Sequence, residues 1–317
     1  MTSPVAVVTG ASSGIGRALA RKLDEEQYRL VVCDVNEAGL RETQGLLKNG
    51  SQRVVLDVSR RPDVEKMAVD VLAQHGRIDL VINNAGVSVD ASIAEVAYED
   101  FEWLFGINFW GVVYGTKAFL PKMLEQKSGT IVNVSSVFGL IAHPGQGTYN
   151  ASKFAVRGFT ETLWRELEGT GVHAVSVHPG GVKTNIVRSA RVPRTANDAT
   201  KRQQFNKRFD KLAMTTPEKA AEIIMRGVHD KKRRVSPSSN AKRVRKQPAP
   251  IPPGGRCRTM ARISIGTKRC ATARTKAATG ACRRWPSCRV ATSRGGLRRA
   301  AHTWVSNTLA ESHRSPV

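Results

Sequence analysis

Residues 5–16 read VAVVTGASSGIG, an apolar β-branched run that leads into three glycines, at positions 10, 14 and 16. The run predicts a buried strand, and the glycines predict a tight turn into a helix. Such a turn lets the backbone approach a pyrophosphate closely, and the helix N-terminus adds N–H donors and a partial positive charge. The stretch therefore indicates a nucleotide-binding turn; a tight turn without a ligand is the alternative.

The same strand-and-helix pattern continues to about residue 235. Strands are predicted at residues 5–9, 30–33, 53–56, 80–83, 130–134 and 174–178. Helices are predicted to begin near Gly14, Ala38, Pro62, Tyr98, Tyr149 and Pro217. Six strands joined by right-handed crossovers form a doubly wound parallel sheet. The fold class expected is therefore α/β, a Rossmann-type single domain over residues 1–235.

Asp34 ends the second predicted strand, eighteen residues after Gly16. An acidic side chain at this point can accept hydrogen bonds from the adenosine ribose hydroxyls and would repel a 2′-phosphate. This favours NAD as the cofactor. NADP is the alternative, because Arg17 or Arg41 could swing toward a 2′-phosphate, and Asp34 could also be a solvated turn residue.

Tyr149 and Lys153 belong to a YNASK segment, and their i, i+4 spacing places both side chains on one helix face. A neighbouring ammonium favours the phenolate and would lower the tyrosine pKa toward neutral. Ser136 lies thirteen residues earlier, at the end of the fifth predicted strand, where residues face the ligand crevice of an α/β sheet. The three residues together suggest a site that moves a hydroxyl proton.

Further motifs occur in a fixed order along the chain. NNAG at 83–86 follows the fourth predicted strand, Asn108 lies in the following helix, and HPGGVKT at 178–184 follows the sixth strand. With the glycine turn, Ser136 and the YNASK segment, they resemble the classical short-chain dehydrogenase/reductase family over residues 5 to about 235. The resemblance implies an NAD(P)-dependent oxidoreductase that interconverts a secondary alcohol and a ketone by hydride transfer.

The resemblance also implies roles for individual residues. Tyr149 would exchange a proton with the substrate oxygen, Lys153 would lower the tyrosine pKa and hold the nicotinamide ribose, and Ser136 would orient the substrate. Asn108 would anchor a water that relays protons. The implied cofactor contacts are Gly10, Ser12, Gly14, Ile15, Gly16, Asp34, Asp57, Val58, Asn84, Ala85, Gly86, Tyr149, Lys153, Pro179, Gly180, Val182 and Thr184. Ser135 is one residue short of the family spacing, and His143 and His178 receive no role.

Composition narrows the class of protein. Hydrophobic residues make up 40% and charged residues 24% of the 317, a globular balance without an apolar run of membrane-spanning length. The start, MTSPVAVVTG, lacks the features of a signal peptide, so a cytoplasmic protein is expected. The five cysteines match no zinc-site spacing, and no metal is expected.

The C-terminal segment, residues 236–317, departs from this pattern. Residues 235–317 carry 18 Lys and Arg against one acidic residue, Glu311, and only 10 of these 83 residues are Leu, Ile, Val or Phe. This predicts a disordered basic tail. We interpret it as translation in a shifted reading frame, which would remove a seventh strand, expose the sixth as an edge and impair activity. Sequence-blind nucleic-acid binding by the tail is the weaker alternative, and nucleic acid is not an expected partner.

Two regions outside the motifs bear on substrate and assembly. Residues 185–212 hold eight basic and two acidic residues, in the position of the family's substrate-covering loop; we interpret them mainly as the solvated outer face of a lid, and steering of an anionic substrate is the alternative. An apolar face formed by Phe205, Phe209, Leu212 and Met214 is expected to point toward the pocket. By resemblance, the helix carrying Trp103 and Trp110 and the helix carrying Tyr149 would form a homodimer or homotetramer interface.

Overall fold

The computed structural model describes residues 3–192, 203, 209–210 and 213–238. Within these, a parallel sheet has the strand order β3-β2-β1-β4-β5-β6-β7. The strands are β1 Val5–Thr9, β2 Arg29–Asp34, β3 Gln52–Val55, β4 Leu80–Asn83, β5 Gly129–Val134, β6 Val172–Val177 and β7 Arg234–Val235. The predicted doubly wound α/β fold is confirmed, and the predicted bounds of β1 and β4 match the structure.

Seven helices flank the sheet in the described part of the chain. They are α1 Gly14–Glu25, α2 Glu37–Gly45, α3 Arg61–His75, α4 Tyr98–Phe105, α5 Gly111–Gln126, α6 Gly147–Glu166 and α7 Pro217–His229. A five-residue π-helical turn, Gly106–Trp110, joins α4 to α5. None of the helices in the described ranges is long and apolar enough to cross a membrane.

Side chains on the two faces of the sheet form two cores. One core packs β1 and β2 residues such as Val8 and Val32 against α1 and α7. The other packs alternate residues of the same strands, including Val7 and Val31, against α3, α5 and α6. Helices on both faces explain why β1 and β4 are buried at every position and are mostly apolar, as is typical of parallel sheets.

The expectation of six strands and an uncovered sixth strand is wrong in part. Arg234 and Val235 form β7 and pair in parallel with Ser176 and Val177 of β6. The backbone N–H groups of Ser176 and His178 donate to the carbonyls of Arg233 and Val235, at 2.9 and 2.8 Å. The edge of β6 is therefore covered at its carboxyl end, next to the functional site, by a strand of only two residues. Residues from 239 onward, on which the disordered-tail and shifted-frame predictions fall, lie outside the described residues.

Candidate active site

A cavity of about 910 Å³ opens at the carboxyl ends of the strands. It lies next to the neighbouring strands β1 and β4, between which the strand order changes direction. Open α/β sheets bind ligands at such a switch point. Among the predicted site residues, sixteen of the cofactor set and Ser136 line this cavity. Gly16 and Asn108 do not line it; both lie behind the wall.

The glycine turn packs directly against the loop after β4. A Cβ on Gly10 would overlap Ala85, and a Cβ on Gly16 would overlap the carbonyl of Gly10. The Asn84 side chain donates to the carbonyls of Thr9 and Gly10, at 3.0 and 3.1 Å. Only glycine therefore allows the turn and the loop to approach this closely.

The same turn fits a dinucleotide phosphate. Gly14 has a φ of 51°, a conformation that favours glycine, and no side chain caps the N-terminus of α1 at Ser13. An uncapped helix N-terminus presents N–H donors and a partial positive charge to an anion. Thr184 lies against Gly14 and brings the loop after β6 to the same point.

Asp34 reaches the cavity from the end of β2. Its carboxylate accepts from the backbone N–H groups of Ser12 and Asn36, both at 3.0 Å. Arg17 does not face a 2′-phosphate position, because it donates to the Ser12 carbonyl and pairs with Glu42 at 2.7 Å. Arg41 pairs with Glu37 at 2.7 Å. Both arginines considered as NADP partners are thus engaged elsewhere.

Asp57 and Val58 line the cavity beyond the end of β3. The Asp57 carboxylate accepts from the backbone N–H and the hydroxyl of Ser59, at 2.9 and 2.7 Å. Val58 is buried against Gly111, where a larger residue would overlap its side chain. The position suits contact with the base of a nucleotide.

Tyr149 and Ser136 meet at the other end of the cavity. Ser136 lies close enough to the Tyr149 hydroxyl to lower its pKa, and its Oγ accepts from the Phe138 N–H at 3.1 Å. Burial raises the pKa of Tyr149 to about 12, because it outweighs the lowering by Ser136. The expected lowering of this pKa is therefore absent, since removal of the phenol from water outweighs its neighbours.

Lys153 lies below the tyrosine ring and is 2% exposed. Its Nζ is 5.6 Å from the Tyr149 ring centroid and donates to the Val134 carbonyl at 3.0 Å. Burial lowers the pKa of Lys153 to about 8. The i, i+4 spacing does bring the two side chains together, but the ammonium bonds to the sheet and not to the phenol.

The Ser135 hydroxyl does not face Tyr149, because it donates to the Lys153 carbonyl at 2.8 Å. This leaves Ser136 as the serine that meets Tyr149.

Asn108 lies in the π-helical turn and is fully buried. Its side chain accepts from the Val87 N–H at 2.8 Å and donates to the Val87 carbonyl at 3.0 Å and to the Ser152 hydroxyl at 3.2 Å. It therefore joins the loop after β4 to α6, the helix that carries Tyr149. Gly86 separates it from the cavity, with Lys153 alongside. The water-relay role stays a prediction.

Sequence reasoning missed the apolar residues at the end of the cavity beyond Tyr149. Phe138 and Ile141 line one side, and Ile186 and Val187 line the other. No motif could have identified them, because apolar residues there look like ordinary core. Of the apolar face predicted between residues 205 and 214, Phe209 lines the cavity, whereas Met214 is 61% exposed and does not face it. Phe205 and Leu212 lie outside the described residues.

The expected interface helices carry exposed aromatic side chains. Trp110 is 47% exposed and stacks on Tyr114, with ring centroids 5.8 Å apart. Phe154, on α6, is 41% exposed. Large exposed aromatics of this kind are enriched at contact surfaces.

Comparisons with known proteins agree with this arrangement. A family model described as short chain dehydrogenase matches residues 4–194. A Mycobacterium tuberculosis protein named "Putative oxidoreductase SadH" is 45% identical over 246 residues, covering 76% of this chain and 88% of that protein. A short chain dehydrogenase/reductase of Burkholderia phymatum, solved in complex with NAD, superposes with a TM-score of 0.70 at 31% identity, covering 77% and 92% of the two chains. A metagenomic short-chain oxidoreductase in complex with NADP gives a TM-score of 0.54 at 32% identity, covering 56% and 81%.

Proposed function

The chain belongs to the short chain dehydrogenase family, and we propose that it is an NAD-dependent oxidoreductase that interconverts a secondary alcohol and a ketone. The observation that carries the proposal is the meeting of Tyr149, Ser136 and Lys153 at one end of a cavity whose other end holds the glycine turn and Asp34. A nicotinamide cofactor bound there supplies or accepts the hydride.

Tyr149 acts as the proton donor in the reduction of a ketone. With its pKa raised to about 12, the phenol is protonated at neutral pH and ready to neutralise an alkoxide as it forms. Ser136, whose Oγ accepts from the Phe138 N–H beside Tyr149, donates to the same substrate oxygen and orients it. In the oxidation direction the phenol must first lose its proton, and its raised pKa makes this the harder direction at neutral pH.

The preference for NAD rests on the Asp34 end of the cavity. The carboxylate is fixed by two backbone N–H groups, and both nearby arginines are engaged with other partners. A 2′-phosphate would meet a negative charge without a compensating cation among the described residues. Relatives have been solved with NAD and with NADP, so the family alone does not decide the cofactor.

Replacement of Tyr149 by Phe tests the mechanism. The ring and its packing remain and only the transferable proton is lost, so kcat for NADH-dependent reduction of a ketone should fall by about 10²- to 10⁴-fold. Tyr98→Phe is the matched control, because Tyr98 is 85% exposed on α4 and should keep full activity. Turnover of the Tyr149 variant within tenfold of wild type would show that another group carries the proton.

Homo-oligomer formation and a cytoplasmic location stay predictions. The exposed Trp110 and Phe154 side chains support a contact between copies through the helices that carry them. Sedimentation velocity of the full-length protein tests this: a dimer or tetramer is expected, and Trp110→Asp should shift it toward the monomer. A wild-type monomer at micromolar concentration would contradict the prediction.

A further inference from the structure

We propose that the substrate is a neutral compound whose larger substituent is apolar, and that Phe138 is the residue that selects this substituent. The inference rests on the proposed function, because it concerns the same cavity. It starts from the position of Phe138, whose backbone N–H donates to Ser136 Oγ at 3.1 Å. The phenylalanine ring stands edge-to-face with the Tyr149 ring, with centroids 6.2 Å apart and planes at 85°.

This placement makes Phe138 the wall next to the reacting carbon. The ring is fixed from behind by His143, with centroids 5.2 Å apart. Ile141 continues the wall, and Val187 faces the cavity from the loop after β6. A substituent on the carbonyl carbon would leave water for an apolar surface, which stabilises binding by about 25 cal/mol per Å² of buried apolar area.

The charges around this end of the cavity argue against an anionic substrate. Among described residues that line the cavity, the formally charged side chains are Asp34, Asp57 and Lys153, and the first two lie at the nucleotide end. Arg188 and Arg191, on the loop that follows β6, pair with Asp210 and Asp100, each at 2.9 Å.

The remaining polar side chains of the described wall carry no formal positive charge. Gln146 lines the cavity, and its amide donates to Val89 O and, at 3.4 Å, to the carboxylate of Asp90. A substrate carboxylate placed here would lose its hydration, and Lys153, the one formally positive side chain among the described lining residues, donates to the Val134 carbonyl instead. The basic residues between 194 and 208, suggested by the sequence as steering groups, lie outside the described residues.

Two ketones that share the acetophenone skeleton, one of which carries a carboxylate, test the inference. We expect acetophenone to be reduced with a kcat/KM at least about 30-fold above that of 4-acetylbenzoate, since each factor of ten reflects about 1.4 kcal/mol of transition-state binding. Equal or better use of 4-acetylbenzoate would overturn the inference and leave the proposed function intact. Tyr149-dependent turnover with neither compound, nor with butanone, would overturn both.

The role of Phe138 is tested with the same substrates. Phe138→Ala should lower kcat/KM for acetophenone about tenfold and change that for butanone less than threefold, because butanone has little apolar surface to lose. Val69→Ala, 65% exposed on α3, is the control for truncation of an apolar side chain. A Phe138 variant that loses both substrates equally would show a structural role only.

A different observation carries a second inference: we infer that His178 is a positioning residue that holds Ser136 in place. His178 is fully buried, with Nδ1 3.0 Å from the Ser136 carbonyl oxygen and Nε2 2.9 Å from Ser176 Oγ. A carbonyl can only accept, so Nδ1 carries the proton and Nε2 accepts from the Ser176 hydroxyl. The His178 N–H donates to Val235 O at 2.8 Å and so connects Ser136 to β7.

The geometry allows two substitutions that separate the two ring nitrogens. His178→Asn places an amide donor near Nδ1 and should keep kcat within about threefold of wild type, whereas His178→Gln reaches toward Nε2 and should lower kcat about tenfold with little change in KM. In a Ser136→Ala background, His178→Gln should have no further effect on kcat, because it acts through Ser136.

Equal effects of Asn and Gln, or effects that multiply in the Ser136→Ala background, would overturn the inference. Circular dichroism and thermal unfolding establish that each variant is folded. Should His178→Gln fail to fold, Ser176→Ala replaces it, since it removes the donor that selects this tautomer. It should then lower kcat several-fold only when Ser136 is present.

Discussion

The two edges of the sheet differ in length and in what they support. β3 pairs with β2 through four residues, from Val31 to Asp34, and alternate residues of β3 face solvent. β7 pairs with β6 through two residues only. Yet Val235 is 5% exposed, and its carbonyl accepts from the backbone of His178, whose ring contacts Ser136.

The comparison shows that the shorter edge strand, β7, contributes more to the site than the longer edge strand, β3. The β3 edge could lose side chains from its exposed face with little consequence, since Asp34 is held by the glycine turn and by Asn36. The β7 edge consists of two residues only. These residues form the edge of the sheet and also support the residues around Tyr149, so neither can be lost without consequence. Substitutions matched across the two edges can therefore test whether the shorter one matters more.

The largest effect is expected for Val235→Asp. Val235 packs with Ile224 and Val228 in one of the two cores. An unpaired carboxylate there should lower the free energy of unfolding by more than about 3 kcal/mol. Val55→Asp on β3 is the control, because Val55 is 55% exposed and the change should be within about 0.5 kcal/mol. Urea denaturation of both variants measures the difference, and similar losses at both edges would refute it.

The difference between long and short strands also explains which strands the sequence could predict. β1 and β4 match their predicted bounds because each is an apolar run that is buried at every position. β7 consists of an arginine and a valine within the basic segment KKRRV, and a two-residue pairing has no periodicity to detect. The π-helical turn around Asn108 was likewise not predicted, because the helical pattern runs unbroken through it.

The features of the site likewise fall into those that the local sequence predicts and those that depend on the tertiary structure. Glycines, Asp34 and the YNASK spacing are local features, so the sequence could place them around one cavity. The raised pKa of Tyr149 and the wall formed by Phe138 depend on burial by distant segments. Only the tertiary structure shows them.

A change of pH should weaken the β7 edge selectively. Burial lowers the pKa of His178 to about 4. The hydrogen bond to the Ser136 carbonyl and the nearby Glu161 raise it, whereas Arg234 and Arg157 lower it further. The unfolded chain takes up this proton near pH 6.5, so the free energy of unfolding should fall as the pH drops from about 6.5 to 4, by at most about 3 kcal/mol.

The His178 contribution is isolated by comparing variants across that pH range. His178→Asn cannot titrate and should show a flatter dependence of the free energy of unfolding on pH than wild type. Burial also lowers the pKa of His75, at the end of α3, but by less, so His75→Asn should flatten the curve less than His178→Asn does. Parallel curves for wild type and His178→Asn would mean that other groups cause the loss at low pH.

A smaller difference is expected between two glycines on the helices next to the edges. A Cβ on Gly227 of α7 would overlap Cγ2 of Val235, whereas a Cβ on Gly45 of α2 has open space around it. Gly227→Ala should therefore destabilise the protein by about 2 kcal/mol through overpacking, and Gly45→Ala should stabilise it by about 0.5 kcal/mol. Thermal unfolding of the two variants gives the comparison, and a neutral Gly227→Ala would show that β7 moves away easily.

The smallest effect is expected at Asp34, on the β3 side. Its carboxylate excludes a 2′-phosphate by charge, so Asp34→Ala should raise kcat/KM with NADP relative to that with NAD by about tenfold, close to 1.4 kcal/mol. The glycine turn keeps its shape because Gly10 and Gly16 pack on Asn84 and the backbone, and the free energy of unfolding should change little. Asp63→Ala, on the exposed first turn of α3, controls for the loss of one negative charge and should leave the cofactor ratio unchanged. A wild-type preference for NADP would show that Asp34 does not select the cofactor.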